Sequence, residues 1–169
     1  MKHSFFYTVF LAAFGAAVTV QADDPTGWKD VPWGSSPADL EEIEDILALD
    51  DDDYENRYFR GERLRWKWEL EEYKVAGIPF RVKFFFDLDD EFSAYTLTWQ
   101  GDEDHAEEAF EELVRLLEER YQRTTAVSDT EVRFGNNFLV RCELGDVEGG
   151  DREITITYLD PNDDQVDRL

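Results

Sequence analysis

His105 and Cys142 are the only histidine and the only cysteine after residue 22, so they form the one Cys–His pair that thiolate catalysis could use. His105 sits between acidic neighbours at the start of a helical pattern. Cys142 sits mid-strand, with Val140 and Leu144 two residues away on either side, which makes it an apolar core position. The two are not predicted to meet. A serine triad would need the same histidine, and zinc needs clustered His or Cys, which the sequence lacks. Paired carboxylates hydrolyse glycosides, but 41 acidic residues guarantee chance pairs, so such pairs carry no weight. The runs Asp50–Asp53, Asp87–Glu91 and Asn162–Asp164 are oxygen-rich. None has the EF-hand order with its central Gly and terminal Glu. No catalytic, cofactor-binding or metal-binding residue is predicted, and no cofactor.

The residues that stand out are basic. Arg57, Arg60, Arg63, Arg65 and Lys67 crowd together, with Lys74, Arg81 and Lys83 shortly after. Strand alternation sends Arg65, Lys67, Arg81 and Lys83 to one sheet face and the large apolar residues to the other. Phe85 shares the basic face, and Arg141, Thr96, Thr98, Thr155 and Thr157 extend it. Arg65, Lys67, Arg81, Lys83, Phe85 and Arg141 are therefore the candidate contact residues, suited to an anionic or aromatic partner. The competing reading is cross-strand ion pairing. It sets Glu72 opposite Lys83 if Val75 opposes Phe80, with Glu69, Glu143 and Glu153 neutralising the rest.

These residues need elements to place them. Ser36, Pro37 and Asp39 form a helix start, and Leu40, Ile43, Ile46 and Leu47 predict a helix to about Leu49. Leu64, Trp66, Trp68 and Leu70 predict a strand, and a phase slip before Tyr73 and Val75 predicts a bulge near Glu71–Glu72. Phe80 to Phe86 and Tyr95 to Trp99 complete a meander. Ala106, Ala109, Phe110, Leu113, Leu116, Leu117 and Tyr121 predict a helix from about Glu103 to Gln122. Val132–Phe134, Phe138–Leu144 and Ile154–Tyr158 are three more strands, with turns at Gly135-Asn136-Asn137 and Gly149-Gly150. Trp66, Trp68 and Trp99 are placed in the core. The expected fold is α+β: a two-layer sandwich ordered helix, three strands, helix, three strands, with both helices on one face of an antiparallel sheet and the other face open.

Lys2, the apolar stretch Phe5–Val20 and the small-x-small exit Val20-Gln21-Ala22 match a secretory signal peptide at 1–22. A single domain at 23–160 and a polar tail at 161–169 follow. The expected location is periplasmic or extracellular. No Cys follows the exit for lipidation, and no membrane anchor is expected. The charge, 41 acidic against 17 basic residues, disfavours nucleic acid, which requires a basic footprint. Only five lysines stand against twelve arginines. Abundant carboxylate with little lysine suits concentrated salt, where self-repulsion is screened.

The entry Val31-Pro32-Trp33-Gly34-Ser35-Ser36, the Gly77-Ile78-Pro79-Phe80 turn and the strand end Phe84-Phe85-Phe86-Asp87 resemble small exported bacterial domains. The helix-and-meander layout is similar to the β-lactamase inhibitor protein fold and the outer-membrane-assembly lipoprotein fold. The lone Cys142 departs from the inhibitor family's paired disulfides, and the absent lipidated Cys departs from the lipoprotein family. The resemblance implies a binding module and transfers no residue. The expected function is an exported, non-catalytic interaction module that engages another protein or a small ligand through its open sheet face. The alternatives are an inhibitor of an extracellular or periplasmic enzyme, or a small carboxylate-dependent hydrolase.

Overall fold

The structure, a computed structural model, describes residues 26–49, 56–59, 62–75, 78–121, 124–135, 139–146 and 152–161. The expected signal peptide at 1–22, Arg60, the acidic run Asp50–Asp53, the turn residues Asn136-Asn137 and Gly149-Gly150, and the tail from residue 162 lie outside them.

The architecture is mostly β and corrects the expected helix–three strands–helix–three strands sandwich. Two short strands, β1 (Gly27–Trp28) and β2 (Val31–Pro32), form a hairpin. Gly27 has φ 134, and a Cβ there would meet the Val31 carbonyl oxygen at 2.1 Å, so the hairpin requires glycine. Then come α1 (Pro37–Leu40), β3 (Leu47–Ala48), β4 (Asn56–Phe59), β5 (Glu62–Val75), β6 (Ile78–Phe86) and β7 (Phe92–Trp99). A single 3₁₀ turn, Glu103–His105, leads into α2 (Ala106–Tyr121), and β8 (Thr124–Ser128), β9 (Glu131–Phe134), β10 (Val140–Asp146) and β11 (Arg152–Leu159) follow. Nine strands make one antiparallel sheet in the order β3-β5-β6-β7-β11-β10-β9-β8, with β4 also pairing along β5.

The first helix is the clearest departure. The Asp39 carboxylate accepts from both the backbone N–H and the hydroxyl of Ser36, at 2.8 Å each, so the helix starts where the capping pattern places it. It ends at Leu40, nine residues before the expected Leu49. Ile43 N–H bonds to Leu40 O and Ile46 N–H to Ile43 O, both at i to i+3, and Asp45 has φ 64. Leu40, Ile43 and Ile46 are spaced by three, which fits the three-residue turn as well as the α-helix. Leu47 and Ala48 instead pair with Glu69 and Trp68 at the edge of β5.

The second helix follows its stripe. Ala106, Phe110, Leu113, Leu117 and Tyr121 are buried against β9, β10 and β11. Arg115 donates to Glu112 and Glu119 on the exposed side. Leu40 joins the same core from the other half of the sheet, with Val82, Phe84, Phe86, Leu97, Val140, Cys142 and Ile156 beneath. Trp28 is buried here too, edge-on to Tyr73, Phe84 and Tyr95 at centroid distances of 4.7, 5.3 and 5.0 Å.

Candidate functional site

The core registers define the opposite, or reverse, sheet face. Val82 pairs with Leu97, Leu97 with Ile156 and Ile156 with Cys142, all inside the core. Their neighbours along each strand must point away. Three rows of side chains result, each read across the strands. One runs Glu69, Lys83, Thr96, Thr157, Arg141, Arg133. The next runs Arg81, Thr98, Thr155, Glu143, Glu131. The third, at the hairpin end, is apolar: Trp66, Phe85, Ala94, Leu159. The second hydrophobic cluster, which lies on this side, contains no helical residue.

Arg81, Lys83 and Arg141 thus share the reverse face, together with the four threonines. Arg65 and Lys67 do not. Trp66 opposes Phe85 and Trp68 opposes Phe84, so Lys67 is the extra residue of a bulge that reverses the strand's phase. Arg65 falls opposite Phe86 on the core side. There Arg65 donates to the carbonyls of Asp87 (3.0 Å) and Leu88 (3.1 Å) and to Asp90 Oδ1 (2.7 Å), and Lys67 donates to the same carboxylate oxygen. The Lys67 hydrogen bond is the main cause that holds the Asp90 carboxyl below its ordinary range. Burial opposes it, and the charges of Lys67 and Arg65 add to it. Both cations therefore fasten β5 to the β6–β7 turn and leave the contact set. That turn is closed by Asp87 Oδ1, which accepts from the backbone N–H groups of Asp89 and Glu91. It is built from its own backbone and has no EF-hand geometry.

Phe85 is corrected as well. It is 0% exposed, edge-on to Phe59 at 5.1 Å, and packed with Leu64 and Ala94. The β4–β5 hairpin lays Phe59 and Leu64 over it. Phe84, Phe85 and Phe86 are consecutive and all fully buried. Three successive large apolar residues in a strand signal burial on both faces, and that signal was present in the sequence. Trp66, assigned by alternation to the core, is the aromatic of the reverse face: the Lys83 ammonium stands 3.4 Å from its ring centroid.

The register places Glu69, not Glu72, opposite Lys83. Arg141 pairs with Glu143 at 2.9 Å and Arg133 with Glu131 at 2.8 Å. Arg81 differs from them. It makes no ion pair among the described residues, and its Nε is buried without a hydrogen-bond partner. The first two rows carry Arg81, Lys83, Arg133 and Arg141 against Glu69, Glu131 and Glu143. They are thus faintly basic in a chain of net charge −24.

No protein-family model, curated protein or solved structure matches this chain. The chemistry must be read from the site itself. His105 is exposed, 3.7 Å from Asp102, and Cys142 is fully buried, its thiol pushed up to about 12 by burial and then by Glu143. A thiol in that state is no nucleophile at neutral pH. Among the described residues no group of three or more His, Cys, Asp or Glu could hold a metal ion, and no helix is long and apolar enough to cross a membrane.

Proposed function

We propose that the chain is an exported, non-catalytic interaction module whose reverse sheet face binds a partner that presents a carboxylate. Export rests on the N-terminal sequence pattern. The observation that carries the binding reading is Arg81. Alone among the arginines of the two charged rows it makes no ion pair among the described residues, in a chain with 41 carboxylates to choose from. A carboxylate from outside gives its guanidinium the charge-assisted pairing that Arg133 and Arg141 find within the chain. Thr98 lies directly opposite and Lys83 two residues along, so the incoming group meets a hydroxyl and a second cation. Trp66 and Arg81 belong to the residue types that anchor protein interfaces.

The test is capture from a periplasmic extract at moderate and high salt, using immobilised wild type and Arg81→Glu, each checked for an unchanged melting temperature. The reading predicts a protein retained by wild type and lost from Arg81→Glu. Equal retention by both overturns it.

A further inference from the structure

We propose that the carboxylate-bearing partner is a second copy of this chain, docked reverse face to reverse face about a twofold axis that runs along the strands between β7 and β11. This inference rests on the binding role assigned above to the reverse face. An isologous interface requires that a residue and its counterpart exchange places across the axis. The face has that property. Rotation about this axis brings β6 over β10 and β7 over β11 of the other copy. In the row Arg81, Thr98, Thr155, Glu143, it sets Arg81 over Glu143 and Thr98 over Thr155, twice. In the neighbouring row it sets Glu69 over Arg133, twice, and Thr96 over Thr157.

Two like-charged contacts remain, Lys83 over Arg141 and Glu131 over the Glu71–Glu72 bulge of β5. Lys83 is drawn over the Trp66 ring, Arg141 is turned to Glu143, and Glu131 is paired with Arg133 within each copy. Arg141 Nε approaches Oε2 of Glu143, which leaves Oε1 to accept from Arg81 of the other copy. The axis itself passes through the threonine quartet, where Thr96 and Thr157 are already 2% and 1% exposed, so little polar surface must be dried there.

Size and charge agree with a weak, salt-promoted dimer. Six strands, β5 to β9 in the sheet order, lie about 4.8 Å apart, and the two charged rows take up about 14 Å of strand, which gives a patch of roughly 25 by 15 Å. Two copies share about 750 Å² in projection, in the range of weak, transient contacts. Two chains of net charge −24 repel at a distance, and the reverse face, where the charge nearly balances, is where they can approach. Salt removes the long-range repulsion, while contact pairs between part-buried groups are screened much less.

The test is sedimentation velocity over a concentration series at low salt and at about 1 M NaCl, where the screening length is about 3 Å. Four proteins are compared: wild type, Arg81→Glu, Glu143→Arg, and the double exchange. Wild type is expected to dimerise more strongly at high salt. Each single exchange should raise Kd roughly tenfold or more, and the double exchange should restore it. Glu143→Arg lowers the net negative charge, so its loss of dimer cannot come from general repulsion. Thr98→Lys, a half-exposed position on the axis, should also leave a monomer with an unchanged melting temperature. A dimer that survives both single exchanges places the contact elsewhere and overturns the proposal. So does a wild type that stays monomeric throughout, and in that case the extract test still decides the carboxylate-binding reading on its own.

Discussion

Replacing Phe85 with alanine separates the two roles this ring could play. Phe85 is fully buried between Phe59, Leu64 and Ala94, with Trp66 and Leu159 closing the cluster from partly exposed positions. Phe-to-Ala changes in cores cost about 3–5 kcal/mol, and the value falls where neighbours can collapse into the space. The partly exposed Trp66 and Leu159 allow some collapse. The edge-on contact with Phe59 removes a further roughly 0.5–1.5 kcal/mol of pair energy. The expected loss is therefore about 4 kcal/mol. That is a large share of the roughly 5–15 kcal/mol available to a domain, and about 12 °C in Tm at about 3 °C per kcal/mol. Urea unfolding followed by tryptophan fluorescence reads it as a lower midpoint with an unchanged slope. A midpoint that moves by less than about 1 kcal/mol equivalent would refute the reasoning. It would mean that the hairpin does not cover Phe85 and that the ring is free for a partner.

Asp90→Asn keeps a residue type that tolerates the φ of 65 at that position and removes the carboxylate shared by Arg65 and Lys67. Because the folded-state pKa of Asp90 is lowered, its stabilisation is present above the unfolded value of about 3.9 and is lost as pH falls through the folded value. The wild-type advantage over Asp90→Asn should be at most about 1 kcal/mol at pH 7, since the side chain is 48% exposed, and it should close below about pH 4. An advantage that persists in acid contradicts the pairing. Cys142 should not react with a disulfide reagent at pH 8 in the native protein and should react at once in urea, as absorbance of the released thiolate will show; native labelling at the free-cysteine rate contradicts its burial. The melting temperature should rise with salt, because a chain of net charge −24 repels itself; a scanning-calorimetry series in which Tm falls as NaCl increases would remove that account.

What the sequence made legible follows from how much redundancy each element carries. The stripe of α2 repeats over four turns, from Ala106 to Tyr121, and only one helical phase buries it. The shift between Leu70 and Tyr73 is written in the spacing of apolar residues, and the structure has a register shift there. The shift at Lys67 is not written so. Leu64, Trp66, Trp68 and Leu70 alternate without a break, yet Leu64 and Trp66 pack with Phe85 while Trp68 and Leu70 face the helices. The partner strand and the capture of Arg65 and Lys67 by Asp90, more than twenty residues away, set that phase, and no local pattern records them. For this reason Arg65 and Lys67 moved to a structural role, Phe85 joined them under the β4–β5 hairpin, and only Arg81, Lys83 and Arg141 of the six candidate contact residues stayed together. The short strands β1, β2, β3 and β4 were hidden for a related reason. Each is two to four residues long and takes its conformation from a neighbour rather than from its own composition.

The most direct measurement is site-specific photocrosslinking. A photoreactive amino acid at Thr98, mid-way across the reverse face, is compared with one at Glu111 on the exposed side of α2. A reverse face that binds a partner should give a discrete adduct from Thr98, and that adduct should vanish with Arg81→Glu. An adduct from Glu111 with none from Thr98 would contradict the account.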